Sequence, residues 1–149
     1  MKAWILLPCM AICAGALIPV QAAANASLSK SIDSVVYSAL MLFVVGLAFI
    51  SSFLIINRVP FPGMAAFTTA PAYSYVGGLI VATYVLSITY LAPRMGVGNA
   101  ICFIVTGQII VAVLIDHFGL LGAAASAINI RRCAGITLMI TGLFLARSA

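Results

Sequence analysis

The sequence predicts an all-α membrane protein, a bundle of five transmembrane helices forming a single transmembrane domain over residues 1–149, and three observations predict it. First, 65% of the residues are apolar and only 6% are charged, against about 25% charged in a soluble domain. That polar complement cannot cover a compact particle in water. Second, five uncharged apolar stretches follow one another, most of them close to the ~20 residues that about 30 Å of hydrocarbon demands. Third, these stretches lack the alternation of apolar and polar residues that a membrane barrel needs. Helices therefore satisfy the backbone in lipid.

The first helix is expected over residues 3–24. Lys2, an apolar stretch and the small-residue segment PVQAAANA also describe a cleavable secretory signal, but the run from Ala3 to Val20 exceeds the usual core of about 7–15 residues. A retained helix is the better reading. The second and third helices are expected over residues 35–56 and 73–92, and the fourth over 95–115, each bounded by a charge or a turn. The fifth, residues 133–146, is short, about 21 Å as a helix. Arg131, Arg132 and Arg147 frame it, and their long side chains can snorkel to the interface.

Two connections are long. In NRVPFPGMAAFTTAPA, from Asn57 to Ala72, the residues Pro60, Pro62, Gly63 and Pro71 are expected to break any helix, and Tyr73 and Tyr75 beyond it read as an aromatic belt. The stretch from His117 to Ile130 begins HFGLLGAAASAI. It either extends the fourth helix or lies along the membrane surface.

Charge and chemistry narrow the function. With five crossings, Lys2, Arg58, Arg131 and Arg132 fall on one side and Lys30, Arg94 and Arg147 on the other, a balance that does not fix orientation. Either insertion direction is compatible with the sequence. The basic residues lie scattered between apolar runs, as membrane anchors do, with Arg131 and Arg132 the one adjacent pair, whereas nucleic acid needs a clustered basic face. There is no glutamate, and the acidic side chains are Asp33 and Asp116 alone, so paired-carboxylate catalysis is all but excluded. An enzyme is not expected. Cys9, Cys13, Cys102 and Cys133 fall at or within helices, which argues against a disulfide framework. The group Cys9, Met10 and Cys13 has soft-metal character, but without histidine it reads as apolar filling. No metal and no cofactor are expected.

Polar side chains inside the bundle are the candidate site residues, because lipid makes each one costly. Gln21 and Asn25 are four apart, hence on one face, beside Pro19. They serve a substrate pathway or helix packing. Asn99 and Thr106 share a face of the fourth helix, while Gln108 points roughly opposite, about 200° from Thr106. Gln108 either lines a cavity or makes an interhelical hydrogen bond. Asp116 and His117 end that helix and form either a proton relay, since histidine titrates near neutral pH, or a helix cap. Arg94 follows Pro93 in a tight turn, where it either meets an anion or, as the better reading and like Arg131 and Arg132, anchors the chain at the membrane. The pairs Gly96 with Ala100 and Gly142 with Ala146 have the spacing that lets helices approach closely.

An odd number of helices does not divide into the equal inverted halves from which many transporters are built. The chain is thus expected to be half of a machine, completed as a homodimer or as a heterodimer with a sister five-helix chain, with two-fold pairing as the default.

Three stretches, GALIPVQAAANASLSKSIDS, YVLSITYLAPRMGVGNA and GQIIVAVLIDHFGLLG, resemble the YdcZ family of small bacterial membrane proteins within the drug/metabolite transporter superfamily. The resemblance covers nearly the whole chain. It implies a five-helix unit equivalent to half of a ten-helix transporter, a multi-pass protein of the bacterial inner membrane, a retained first segment, and motif positions at Gln21, Asn25, Pro93, Arg94, Gly107, Gln108, Asp116, His117 and Gly119. The chain departs from the family pattern where PAYSYVGG replaces a tryptophan-rich start to the third helix. It also lacks the first-helix glutamate on which the small multidrug-resistance exporters rely. The function expected is a transporter subunit for a small polar or amphipathic metabolite, acting as a dimer of five-helix units in the lipid bilayer. The alternative is an accessory or structural membrane subunit without transport of its own, and a small ion channel stands third.

Overall fold

A computed structural model describes the backbone of residues 2–147 and the side chains of residues 5–145. The side chains of Lys2, Ala146 and Arg147, assigned above to anchoring and helix packing, lie outside the described residues. The described chain is all helical, 85% helix without strands. The elements are α1 (Lys2–Ser31), α2 (Val35–Ile56), α3 (Met64–Thr69), a 3-10 turn (Ala72–Tyr75), α4 (Val76–Met95), α5 (Val97–Phe118), a second 3-10 turn (Leu120–Gly122) and α6 (Ile130–Arg147). Among the described residues, four stretches of helix are long and apolar enough to cross a membrane: Ile5–Ser31, Val35–Ile56, Ala72–Met95 and Val97–Phe118. α6 is a helix of 18 residues that carries Arg131 and Arg132 in its first turn. The chain divides into two compact units, one ending at Arg94 and the other beginning at Met95.

In the first unit, α1 continues to Ser31 instead of stopping at residue 24, with Pro8 and Pro19 inside it. The tail AAANASLSKS is rich in alanine, a strong helix former, and its serines turn inward on the backbone. Ser29 donates to the Ala26 carbonyl at 3.0 Å and Ser31 to that of Ser27 at 3.1 Å. The helix then stops within three residues. Asp33 takes a left-handed φ of +50°, which Asp tolerates better than most residues, and the Ser34 amide closes back on the Ser29 carbonyl at 3.0 Å. Ser34 also starts α2, its hydroxyl accepting from the Tyr37 amide at 3.3 Å.

This tight turn folds α1 back along α2. Their contact is made of small residues: Ala22, Ala26 and Ala39 are buried, and the fully buried Ser38 hydroxyl donates across the pair to the Asn25 carbonyl at 2.9 Å. Close approach of backbones joined by a hydroxyl hydrogen bond is how helices associate in lipid. α2 ends in a Schellman motif. Arg58 lies at φ +49°, its amide reaching Ile55 at 3.2 Å and that of Val59 reaching Leu54 at 3.0 Å.

The connection after α2 corrects the expectation that its prolines exclude helix. They bracket a helix instead of interrupting one: Pro60, Pro62 and Gly63 precede α3, and Pro71 follows it. Phe61 stacks on Phe67 with ring centres 5.8 Å apart, and the Tyr75 hydroxyl donates to the Phe67 carbonyl at 2.6 Å. In α4 the buried residues Val85, Ile88, Thr89 and Ala92 recur at helical spacing. The helix runs through Pro93 to Met95, beyond the expected end at residue 92. Proline there has no amide hydrogen for the Thr89 carbonyl, so the helix gives up one backbone bond near its end.

In the second unit α5 and α6 pack through an edge-on pair of rings, Phe103 and Phe144, 5.7 Å apart, and the Cys102 thiol donates to the Leu143 carbonyl at 3.8 Å. α5 stops at Gly119, which sits at φ +60°. A Cβ there would lie 3.3 Å from the Ala125 Cβ, so the conformation favours glycine and a larger residue would press on its neighbour. After the Leu120–Gly122 turn the chain has no regular structure until Asn129, whose side chain accepts from the Arg132 amide at 2.8 Å and starts α6. Of residues 117–130, His117 and Phe118 thus prolong the helix beyond the expected end at residue 115, and α6 begins at Ile130.

Candidate functional site

The described residues present two cavities in the first unit and a polar clasp in the second. The first cavity, about 630 Å³, lies along α1 and α2 and is lined by Gln21, Ala24, Asn25 and Leu28 on one side and by residues from Met41 to Phe49 on the other. Its walls are apolar apart from the two amides. Spacing of four puts Gln21 and Asn25 on one face of α1, and the structure brings both to this groove. Asn25 is 8% exposed, and its side-chain nitrogen has no hydrogen-bond partner. A buried amide without a partner is expensive, about 1–3 kcal/mol, and more so where the surroundings are lipid.

The second cavity, about 490 Å³, lies where α1 ends, α2 begins and α4 ends. Ser29, Lys30, Asp33, Ser34 and Val35 line it together with Thr89, Tyr90, Pro93 and Arg94. The Arg94 guanidinium lies 3.5 Å from the centre of the Tyr90 ring and donates to the Tyr90 carbonyl at 2.7 Å. This cation is therefore held in place by its own helix, beside the cavity. Sequence reasoning singled out Arg94 but missed Lys30, Asp33 and Thr89. The available signal was the spacing of Thr89 and Pro93, which removes a helical partner from the Thr89 carbonyl.

In the second unit, Asn99 donates to the Met95 carbonyl at 2.9 Å and Thr106 to that of Cys102 at 2.8 Å. Gln108 is exposed on α5. Asp116 and His117, adjacent in sequence, turn to different partners. Asp116 forms an ion pair with Arg132, and its carbonyl accepts from the Ser126 amide at 2.8 Å. His117 Nδ1 accepts from the Ile128 amide at 3.2 Å, and Arg132 also donates to the Ser126 carbonyl at 3.0 Å. Together these bonds clasp residues 123–129 against the end of α5. Arg132 thus serves the clasp, while Arg131 is exposed.

A comparison with family models matches residues 6–145 to the family described as "Putative inner membrane exporter, YdcZ". No curated protein and no solved structure matches the chain. The match runs through all the long helices and both cavities, and with four helices of spanning length it makes this a multi-pass inner membrane protein. The chain belongs to the YdcZ family.

Proposed function

We propose that the chain is one subunit of a transporter that moves a small polar or amphipathic metabolite, working as a dimer of five-helix units in which α6 is the fifth span. The observation that carries the reading is the α1–α2 groove: an apolar trough with the amides of Gln21 and Asn25 set into it, one of them buried without a partner. Convergent polar groups in an apolar cleft are what a solute site requires. Family membership supports export as the activity. The apolar run of α6 is shorter than a full span, and the exposed Arg131 beside it has the long side chain that can reach to the interface. Asn99 and Gln108 are the further pathway candidates, from α5.

The test is uptake into liposomes holding the purified chain, with a panel of labelled amines, amino acids and sugars. At least one solute is expected to cross faster than in empty liposomes, with Gln21→Leu or Asn25→Leu lowering the rate several-fold. No flux for any solute, in single or mixed orientation, contradicts the reading. The second reading, an accessory subunit, draws support from the Ser38 bond to Asn25, which is helix glue of the ordinary kind. Under it Gln108→Leu leaves the cellular phenotype unchanged, whereas loss of the phenotype favours the transporter.

A further inference from the structure

We propose that the polar cavity at the α1–α2 turn binds a small zwitterion, an ammonium group and an oxyanion carried on one molecule. As a substrate class this rests on the transporter reading; as a binding site it does not.

The first observation is Thr89. It is 0% exposed, it lines the cavity, and its hydroxyl has no partner. Threonine and serine in an apolar helix ordinarily donate to the carbonyl four residues back. Thr83 and Ser87 of the same helix do so, at 2.9 and 2.8 Å, and Thr89 does not. Pro93, four residues on, has no amide hydrogen to give the Thr89 carbonyl. One residue therefore carries a buried hydroxyl without a partner and a carbonyl without its helical amide beside the same wall.

The second observation is charge. Lys30, Asp33 and Arg94 all line the cavity. Lys30 and Asp33 are three residues apart, yet among the described residues the ion pair is that of Arg132 with Asp116, so neither cancels the other by direct contact. Helix ends reinforce both signs. The first turn of α2 presents amide hydrogens beside Val35, of which the Ser34 side chain takes that of Tyr37, and this end favours an anion. α1 and α4 end at the same place, and their carbonyl ends favour a cation.

These two observations decide the ligand class. A simple anion would sit against Asp33, and a simple cation would sit between Lys30 and Arg94. A zwitterion satisfies both, its oxyanion on Lys30, Arg94 and the α2 amides, and its ammonium on Asp33 and the Thr89 oxygens. Stacking on Tyr90 fixes the Arg94 plane beforehand, so little freedom is lost on binding. Two sources carry this pair of groups, a free amino acid and the ethanolamine phosphate headgroup of a membrane lipid.

The experiment measures binding to the purified full-length chain in phosphatidylcholine nanodiscs, using leucine, its deaminated analogue 4-methylpentanoate and its decarboxylated analogue 3-methylbutylamine. For a free solute, leucine is expected to bind at least tenfold more tightly than either analogue. Asp33→Asn should abolish the preference over the carboxylate, and Lys30→Gln or Arg94→Gln the preference over the amine. For a lipid headgroup, leucine binds weakly, while phosphatidylethanolamine is enriched with the purified wild type and lost from the same variants. Equal binding of all three probes, or no binding together with no lipid enrichment, overturns the proposal. Because Lys30 and Asp33 are exposed, their variants should fold, and a null result with them counts against it. Flux of some other solute with no binding here would refute this site alone. Leucine binding without flux of any solute would refute the transporter reading alone.

Discussion

Replacing Thr89 by valine should make the unliganded protein more stable. The two side chains have nearly the same shape and both branch at Cβ, so helix preference and packing change little. What changes is a hydroxyl that is 0% exposed and has no partner. Leaving such a group unpaired costs about 1–3 kcal/mol, and valine removes that cost. The expected gain is about 1 kcal/mol, read as a shift in the midpoint of reversible unfolding in mixed detergent micelles. Ser38→Ala is the matched control with the opposite sign. That hydroxyl is equally buried but donates to Asn25 across α1 and α2, so its loss should cost about 0.5–1.5 kcal/mol. A Thr89→Val protein destabilised by about 1 kcal/mol or more would show that the hydroxyl is bonded within the folded chain. The argument that it awaits a ligand would then fail.

Other predictions concern the second unit and the arrangement of chains. Gly119→Ala should destabilise by about 1–2 kcal/mol, because alanine must hold a left-handed conformation and press on Ala125; an unchanged unfolding midpoint would contradict the turn described. Arg132→Gln should cost no more than about 1 kcal/mol, since the ion pair with Asp116 is part-exposed and screened. A double-mutant cycle with Asp116→Asn should show that coupling fading as salt is raised, and a coupling insensitive to salt would point to a drier pair. Hydrogen exchange at the Ser126 and Ile128 amides should quicken in Asp116→Asn if the clasp acts as one unit; unchanged exchange at Ile128 would separate the two bonds. Reporters active only in the cytoplasm or only outside it, fused after Ala149, should both be active if single chains pair antiparallel. Activity of one alone would direct the search to a sister chain.

Much of the helical plan was legible in the sequence because lipid imposes it. Uncharged apolar runs of spanning length had no other way to satisfy their backbones, and α2, Val35–Ile56, was readable in full. Helix ends were harder. The tail of α1 is polar, and its extension to Ser31 depends on serines bonding to their own helix and on Asp33 adopting a left-handed turn, local choices that hydropathy does not register. The same applies to α3, where prolines bracket a helix. In the candidate site, spacing alone put Gln21 and Asn25 on one face, and the α1–α2 groove holds both. The second cavity was not legible. Its walls come from residues 29–35 and 89–94, and nothing in a linear reading brings Lys30 near Thr89. The partners of Asp116 and His117 were hidden for the same reason, since they lie beyond the turn at Gly119.

The central proposal, that this chain carries a solute across the membrane, is tested most directly by counterflow. Liposomes holding the purified chain are loaded with unlabelled solute, diluted into a trace of the labelled form and followed in time. For leucine, or for whichever solute crosses in the uptake panel, the expected result is a transient accumulation of label above the outside concentration, saturable and reduced in Asn25→Leu. Label that only equilibrates, at a rate linear in concentration and indifferent to that substitution, would contradict a carrier and leave a passive pore or an accessory subunit.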